Sequence, residues 1–277
     1  MGRIGRGWQM TKMSLRVIRK DKEILIFPVL SGIFTMLILA SFVGGVFFTN
    51  GLSGFENGAS NWTFYVFFFA YYLVSFFISI FFNAAIIGCA TIRMEGGDPT
   101  VSDGLRIAGK NIGKIFAWAL VAATVGLIIR AIQERAGFIG KIIMGAIGVA
   151  WTIVTYFVVP VLIYEGLGPW GAVKRSASIL KNTWGEALVG NLGMGAIFFL
   201  LGLPGLLGIL IGIFGIISWG VAIGVVILII SIVYLVLLAI INSAAKTVLV
   251  AALYRYATTG KVSEEFQGFS FQQPFSR

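Results

Sequence analysis

The stretch Glu165–Gly185 reads EGLGPWGAVKRSASILKNTWG and lies between two long apolar runs. A helix from Trp170 to Trp184 would carry apolar side chains at positions i, i+4, i+7 and i+11 on one face, with polar and basic side chains opposite. The apolar face comprises Val173, Ala177, Leu180 and Trp184, and the opposite face Lys174, Ser178, Lys181 and Asn182. Because the flanking runs are long enough to span a membrane, the pattern predicts a helix lying flat in the interface. Its tryptophans then lie at headgroup depth and its lysines point toward phosphates.

Two further segments carry a similar pattern. The motif EGxxP occurs at Glu95–Pro99 and again, 70 residues later, at Glu165–Pro169. After the first copy, Val101, Leu105, Ala108 and Ile112 repeat the apolar spacing, with Arg106, Lys110 and Lys114 on the far side. In a looser N-terminal copy, the basic face is Lys12, Arg16, Arg19 and Lys20, and the apolar face is Trp8, Leu15 and Ile18. We interpret the chain as three units, each an interfacial helix followed by a transmembrane hairpin. The alternative is that basic, partly amphipathic loops are common to all membrane proteins.

The composition excludes an ordinary soluble domain, because hydrophobic residues make up 58% and charged residues 12% of the 277-residue chain. The net charge of +10 indicates basic loops against anionic lipid, and no basic, aromatic-studded sheet or recognition helix suggests nucleic acid. The chain has no histidine, and its single cysteine, Cys89, cannot form an intramolecular disulfide. Walker, HExxH and GxSxG motifs are absent, as is a pair of intramembrane carboxylates. We therefore predict a non-enzymatic protein without metal or cofactor.

Hydropathy predicts an all-α transmembrane bundle of about six spans within one membrane domain, residues 1–260, followed by a polar cytoplasmic tail at 261–277. The tail's phenylalanines suggest docking, with disorder as the alternative. The predicted interfacial helices cover about residues 5–22, 99–114 and 170–185. The predicted spans cover about residues 24–49, 62–92, 115–131, 141–164, 187–203 and 219–256. Pro160 is predicted to kink the last turn of the fourth span.

The last two spans are the hardest to delimit, because residues 187–241 carry no charge and are too long for one crossing of a ~30 Å core. We place a glycine-rich connection between residues 203 and 219, which could dip into the bilayer. Two GxxxG pairs, Gly208/Gly212 and Gly220/Gly224, permit close helix approach. Of the 21 Lys and Arg residues, 18 lie in the N-terminus, the second and fourth loops and the C-terminal segment. The positive-inside rule then predicts that both termini and all three interfacial helices are cytoplasmic, in the cytoplasmic membrane.

Three stretches together resemble a known family. They are GWQMTKMSLRVIRKDKEILIFPVLSG at Gly7–Gly32, RMEGGDPTVSDGLR at Arg93–Arg106, and VVPVLIYEGLGPWGAVKRSASILKNTWGE at Val158–Glu186. Together they resemble a prokaryotic family of six-span membrane proteins catalogued only as a domain of unknown function. The segment ending in LKNTWG is more distantly similar to the membrane domain of some glycerophosphodiester phosphodiesterases, whose soluble catalytic domain is absent here. The resemblance implies a fold, and it supplies no activity and no functional residues.

Four polar residues fall inside predicted spans: Asn83, Asn191, Asn242 and Lys246. An ionisable group in a membrane is a functional hypothesis by default, although Lys246 could instead snorkel to the cytoplasmic interface. The asparagines favour hydrogen bonding between helices, with a polar pathway as the alternative. Glu95 and Glu165 open the EGxxP turns, where a carboxylate could accept hydrogen bonds from the N-terminus of the following helix.

Two functional hypotheses follow. In the first, basic interfacial helices gather anionic lipids, and the protein organises the membrane or a protein partner. The predicted headgroup contacts are Lys12, Arg16, Arg19, Lys20, Arg106, Lys110, Lys174, Arg175 and Lys181, and the predicted interface anchors are Trp8, Trp170 and Trp184. In the second, the protein is a channel or transporter with a polar route near Lys246, Asn83 and Asn242. Either function permits a homo-oligomer.

Overall fold

The computed structural model describes residues 3–50, 62–262 and 264–266, and within these ranges it leaves some side chains undescribed, including those of residues 182–191. In this part of the chain there are nine α-helices and two short 3-10 helices, and no strand. The α-helices are α1 (Arg3–Lys20), α2 (Ile26–Asn50), α3 (Trp62–Met94), α4 (Val101–Lys110), α5 (Ile112–Arg135), α6 (Phe138–Val154), α7 (Val158–Tyr164), α8 (Pro169–Ser218) and α9 (Val221–Thr259). The 3-10 helices are Lys22–Leu25 and Glu264–Phe266. The predicted all-α class is confirmed.

Six segments of the described chain are long and apolar enough to cross a membrane. They are Lys22–Gly45, Val66–Met94, Ile112–Arg135, Phe138–Tyr164, Leu192–Ser218 and Val221–Thr259. Their number agrees with the predicted bundle, and an apolar helix of this length satisfies all its backbone polar groups internally, as a bilayer requires. The protein is therefore a polytopic membrane protein.

The third predicted interfacial helix is not a separate element. Helix α8 runs without interruption from Pro169 to Ser218, 50 residues, so the predicted boundary near residue 186 and the glycine-rich connection after residue 203 are both wrong. Pro204 lies inside the helix and does not end it. The turn lies instead at Gly220, whose φ of +101° is a conformation that glycine adopts without steric cost. In hydrocarbon a chain stays helical because an irregular connection would leave backbone groups unpaired.

The fourth predicted span is divided by a break between α6 and α7. The break lies at residues 155–157, before Pro160, so the predicted kink is displaced toward the N-terminus. The reason is steric: a proline ring clashes with the carbonyl four residues earlier, and proline is tolerated in the first turn of a helix. Ser176 of α8 bridges the break, since its Oγ donates to the Val154 carbonyl (2.6 Å) and accepts from the Phe157 N–H (3.0 Å).

Replacing Ser176 by alanine is expected to lower the free energy of unfolding by about 1–3 kcal/mol, because it removes the hydroxyl that donates to the Val154 carbonyl and accepts from the Phe157 N–H. Ser176 is fully buried, so water cannot take its place readily. Ser178 is exposed two residues away and provides the matched control, for which a change within about 0.5 kcal/mol is expected. Thermal unfolding in detergent measures both, and equal effects would contradict the bridging role.

The chain divides into two compact units. The first comprises Met1–Leu25, Ala90–Asp98 and Thr183–Arg277, and the second comprises Ile26–Cys89 and Pro99–Asn182. The extent of a single membrane domain, residues 1–260, stays a prediction.

In the first unit, helix α1 packs on α9 and on both 3-10 helices. Its fully buried side chains include Met10 and Val17, whereas Trp8 is 46% exposed and Leu15 is half-buried. Of the predicted apolar face, only Ile18 is buried. The face of α1 that packs on the protein therefore includes Met10 and Val17 beside Ile18, whereas Trp8 and Leu15 of the predicted apolar face stay partly exposed.

Helices α8 and α9 approach closely because glycines lie between them. A Cβ atom built at Gly208 would lie 2.2 Å from Ser231 Oγ, and one at Gly224 would lie 2.3 Å from the Ile216 backbone nitrogen. Close approach at glycine is thus confirmed for these positions, while Gly220 has no atom near its Cβ position and makes the turn. Small residues allow such close contacts between helices in lipid, where the hydrophobic effect does not drive helices together.

In the second unit, the small residues of α4 hold it against α3. A Cβ atom at Gly104 would lie 2.8 Å from Cys89 Sγ and 2.6 Å from the ring of Phe27, and Ala108 is fully buried. Cys89 Sγ also lies 3.5 Å from the Thr100 carbonyl. The single cysteine is therefore a small buried side chain in this packing.

Candidate functional site: three basic segments

Three stretches, α1, α4 and the first turns of α8 (Pro169–Lys181), carry the basic residues singled out in the sequence, and we call them the basic segments. All nine predicted headgroup contacts are exposed in the structure. They are Lys12, Arg16, Arg19 and Lys20 on α1, Arg106 and Lys110 on α4, and Lys174, Arg175 and Lys181 on α8.

The second basic segment, α4, begins with a reciprocal cap. Thr100 Oγ1 accepts from the Asp103 N–H (3.2 Å), and Asp103 Oδ2 accepts from the Thr100 N–H (3.1 Å), so two donors at the helix start are paired. Hydrogen bonds from the Thr100 side chain and backbone, together with Arg106, hold the pKa of the Asp103 carboxyl below its ordinary value. The signal for this cap, Thr-x-x-Asp, stands in the sequence as TVSD and was not used in the sequence prediction.

The outer face of α4 combines basic and apolar side chains. Leu105 is 37% exposed and Ile112, just beyond the helix, is 51% exposed, whereas Ala108 of the same predicted stripe is buried. Arg106 forms an ion pair with Asp103 at 2.5 Å, and Lys110 is exposed. This helix is therefore amphipathic toward its surroundings, as an interfacial helix must be.

The third basic segment is fixed at its start by an ion pair. Arg175 Nε donates to both carboxylate oxygens of Glu165, at 2.9 and 2.8 Å. Glu165 thus holds a side chain on the second turn of α8, a role that the predicted helix N-terminal contact did not include. Trp170 is 62% exposed, which suits an anchor at the membrane interface. Trp184 was predicted as the second anchor and lies among the undescribed side chains.

The two EGxxP turns share a backbone feature. Gly96 and Gly166, each directly after the glutamate, have φ of +88° and +70°. In the first turn, the Gly96 N–H donates to the Arg93 carbonyl and the Gly97 N–H donates to the Ile92 carbonyl, both at 2.9 Å, which closes the end of α3. In each motif the glycine therefore supplies the positive φ with which the chain leaves the preceding helix. This shared feature supports the interpretation of the motif as a structural repeat.

The first basic segment, α1, presents its cations beside an exposed aromatic ring. Lys12 Nζ lies 5.1 Å from the centre of the Trp8 ring, within the range of a cation–π contact. Lys12, Arg16, Arg19 and Lys20 are all exposed, and so is Trp8, which was predicted as an interface anchor.

The polar residues predicted inside spans are distributed between the two units. Asn83 belongs to the second unit and is half-buried, whereas Asn242 and Lys246 are four residues apart on one face of α9 in the first unit. Asn242 Oδ1 is buried without a hydrogen-bond partner. Lys246 is 26 residues beyond Gly220, about 39 Å along the helix, which exceeds a ~30 Å hydrocarbon core. The side chain of Asn191 lies outside the description.

One ion pair of the first unit was missed entirely. The Arg93 guanidinium contacts both carboxylate oxygens of Asp21 through Nε and Nη2, and Nη2 also contacts Asp98. Asp21 is only 6% exposed and Arg93 18%. The sequence signal was an acidic residue, Asp21, at the end of a strongly basic N-terminus. This signal shows neither that Arg93 is its partner nor that the pair is buried. In the described part of the chain, no group of three His, Cys, Asp or Glu side chains is placed to hold a metal ion.

Comparison with known proteins gives one match. The profile of a family of unknown function, DUF6159, covers residues 62–264. No curated protein and no solved structure matches the chain, so the more distant similarity to glycerophosphodiester phosphodiesterases has no support. The matched range contains seven of the nine described α-helices and five of the six membrane-spanning segments. The chain is a member of the DUF6159 family.

Proposed function

We propose that this protein is a non-enzymatic component of the cytoplasmic membrane that gathers anionic lipids on the cytoplasmic side through its basic segments. The observation that carries the proposal is that each segment buries small or apolar side chains in the protein and leaves its predicted headgroup contacts exposed. Basic side chains near a membrane surface attract anionic lipids by about 1 kcal/mol each.

The exposed apolar side chains of the basic segments favour a role in which these helices face lipid over one in which they are simply solvated. Their exposed apolar side chains, including Leu105 at 37% and Trp170 at 62%, lie on the same helices as the exposed cations. A solvated helix keeps such side chains away from water, whereas an interfacial helix inserts them below the headgroups. Orientation with both termini in the cytoplasm follows from the loop charges and belongs to the proposal.

Reversing two charges in the third segment, Lys174→Glu with Lys181→Glu, is expected to lower the affinity for anionic phospholipid at least about tenfold. The variant leaves the Arg175–Glu165 pair intact. Native mass spectrometry of the protein released from its membrane counts retained lipids and subunits together. The matched control is Arg135→Glu with Lys141→Glu, which reverses two exposed charges in the loop predicted to face the opposite side. Equal lipid retention in both variants contradicts the proposal.

The transport hypothesis is the second candidate, and the buried, unpartnered Asn242 Oδ1 four residues from Lys246 is the observation that favours it. It requires Lys246 to lie in the membrane, whereas its distance along α9 from Gly220 favours snorkelling at the interface. If the wild type transports a solute across the membrane and Lys246→Met does not, the transport hypothesis is favoured over the lipid hypothesis.

A further inference from the structure

An open apolar groove lies within the first unit, along the outer side of α1. It has a volume of about 700 Å³. Residues of α1 and the following 3-10 helix form one wall, and Ile197, Phe198 and Leu201 of α8 and Leu238 and Ile241 of α9 form the other. Its size falls in the ~300–1,000 Å³ range of small-molecule sites. We infer that this groove binds a single anionic phospholipid, with an acyl chain along α8 and α9 and the phosphate at the basic edge of α1.

The position of the groove along the helices suits a lipid. Leu201 lies 18 residues before Trp219, and Leu238 lies 18 residues after Gly220. At ~1.5 Å per residue, both are about 27 Å from the turn that joins α8 and α9. Because a hydrocarbon core is ~30 Å thick, the groove lies where acyl chains meet headgroups on the side opposite to this turn.

The charge of the groove selects the headgroup. Four basic residues contribute to its lining: Lys12, Arg16, Arg19 and Lys22. None of the described residues that line it is acidic. Arg binds phosphate in a planar, two-pronged geometry and Lys acts as a compact point charge, so both are suited to a phosphodiester. A zwitterionic headgroup would bring its own cation against this edge, and a net negative headgroup is therefore favoured.

The groove differs from an ordinary lipid-facing helix surface because α1 makes it concave. Near its N-terminal end α1 touches α8, where a Cβ atom built at Gly193 would lie 2.6 Å from Gly7 Cα. Farther along, α1 packs on α9, its Met10 and Val17 are buried, and Phe198 at the floor of the groove is 6% exposed. The wall is thus fixed on two sides, which orders a lipid more than a convex surface does.

This inference rests on the proposed function and names one site within it. The test uses the full chain in detergent with equal amounts of dioleoyl phosphatidylglycerol and dioleoyl phosphatidylcholine, and native mass spectrometry counts each bound lipid. We expect one tightly retained phosphatidylglycerol. Arg16→Gln with Arg19→Gln is expected to lower its affinity at least about tenfold, because charge-assisted hydrogen bonds are lost. Leu201→Trp, which fills the groove, is expected to remove it.

Two matched controls separate the groove from the surface charge. Leu203→Trp places the same side chain on α8 outside the groove, and Arg135→Gln with Lys141→Gln removes two exposed cations that are not predicted headgroup contacts. Both should keep the tightly bound lipid, and a thermal unfolding midpoint near that of the wild type shows that each variant is folded. If Arg16→Gln with Arg19→Gln and Leu201→Trp retain the tightly bound phosphatidylglycerol, the inference is overturned. If Lys174→Gln with Lys181→Gln loses as much lipid as Arg16→Gln with Arg19→Gln, the single site is overturned while the proposed function stands.

Discussion

Replacing Arg93 by methionine is expected to lower the free energy of unfolding by about 3–5 kcal/mol, because it leaves the carboxylate of Asp21 buried without a cation. Asp21 is 6% exposed, and both of its oxygens contact the Arg93 guanidinium. Removing one partner of a buried pair costs much more than the pair itself contributes. Unfolding in detergent, followed by circular dichroism against temperature or denaturant, measures the difference.

The control for this variant is Arg130→Met. Arg130 forms an ion pair with Glu134 at 2.9 Å, but both side chains are more than half exposed, so a much smaller loss of stability is expected than for Arg93→Met. The double variant Asp21→Leu with Arg93→Met removes both charges and is expected to recover much of the stability. An Arg93→Met effect no larger than that of Arg130→Met would show that the buried pair is not required.

Replacing Gly224 by alanine is expected to lower the free energy of unfolding by about 1–3 kcal/mol, because the added methyl group has no space between α8 and α9. Its Cβ atom would lie 2.3 Å from the Ile216 nitrogen and 2.7 Å from the Gly212 carbonyl oxygen. Both neighbours are backbone atoms, so no side-chain rotation relieves the clash and the helices must separate.

Gly195 on α8 is the matched control, for which we expect substitution by alanine to have the opposite effect on stability. No atom lies within 4 Å of its Cβ position, so Gly195→Ala is expected to raise stability by up to about 1 kcal/mol through helix propensity alone. The two variants add the same methyl group to two helices of one hairpin. A shift of the same sign in both unfolding midpoints would mean that propensity, and not packing, decides the effect at Gly224.

Much of the fold could be predicted from the sequence because hydrophobic run length is a direct consequence of bilayer thickness. The misplaced turn between α8 and α9 has an identifiable cause. Pro204 and the glycines after it are turn signals in water, but within hydrocarbon the same glycines serve helix packing, as at Gly208, and only Gly220 departs from helical backbone. Composition cannot separate these two uses.

The candidate site, too, could be predicted from the sequence only in part. Exposure of the basic residues followed from helical periodicity, and all nine predicted headgroup contacts are exposed. The partners of the charged residues did not follow, because Asp21 and Arg93 are 72 residues apart and periodicity contains no information about contacts at that separation. The buried face of α1, which includes Met10 and Val17, did not follow from the sequence either, because methionines and small residues bury well without giving a strong hydrophobic signal.

The packing of α1 also has a consequence for the order of events during synthesis. Helix α1 leaves the ribosome well before two of its packing partners, α9 and the 3-10 helix that ends at Phe266, which is 1% exposed. More than 220 residues separate Lys20 from Ala244, so at about 5–20 residues per second the first helix waits roughly ten to fifty seconds for them. During this interval only its own amphipathic character keeps α1 at the membrane surface. Residues translated much later therefore complete the packing of α1.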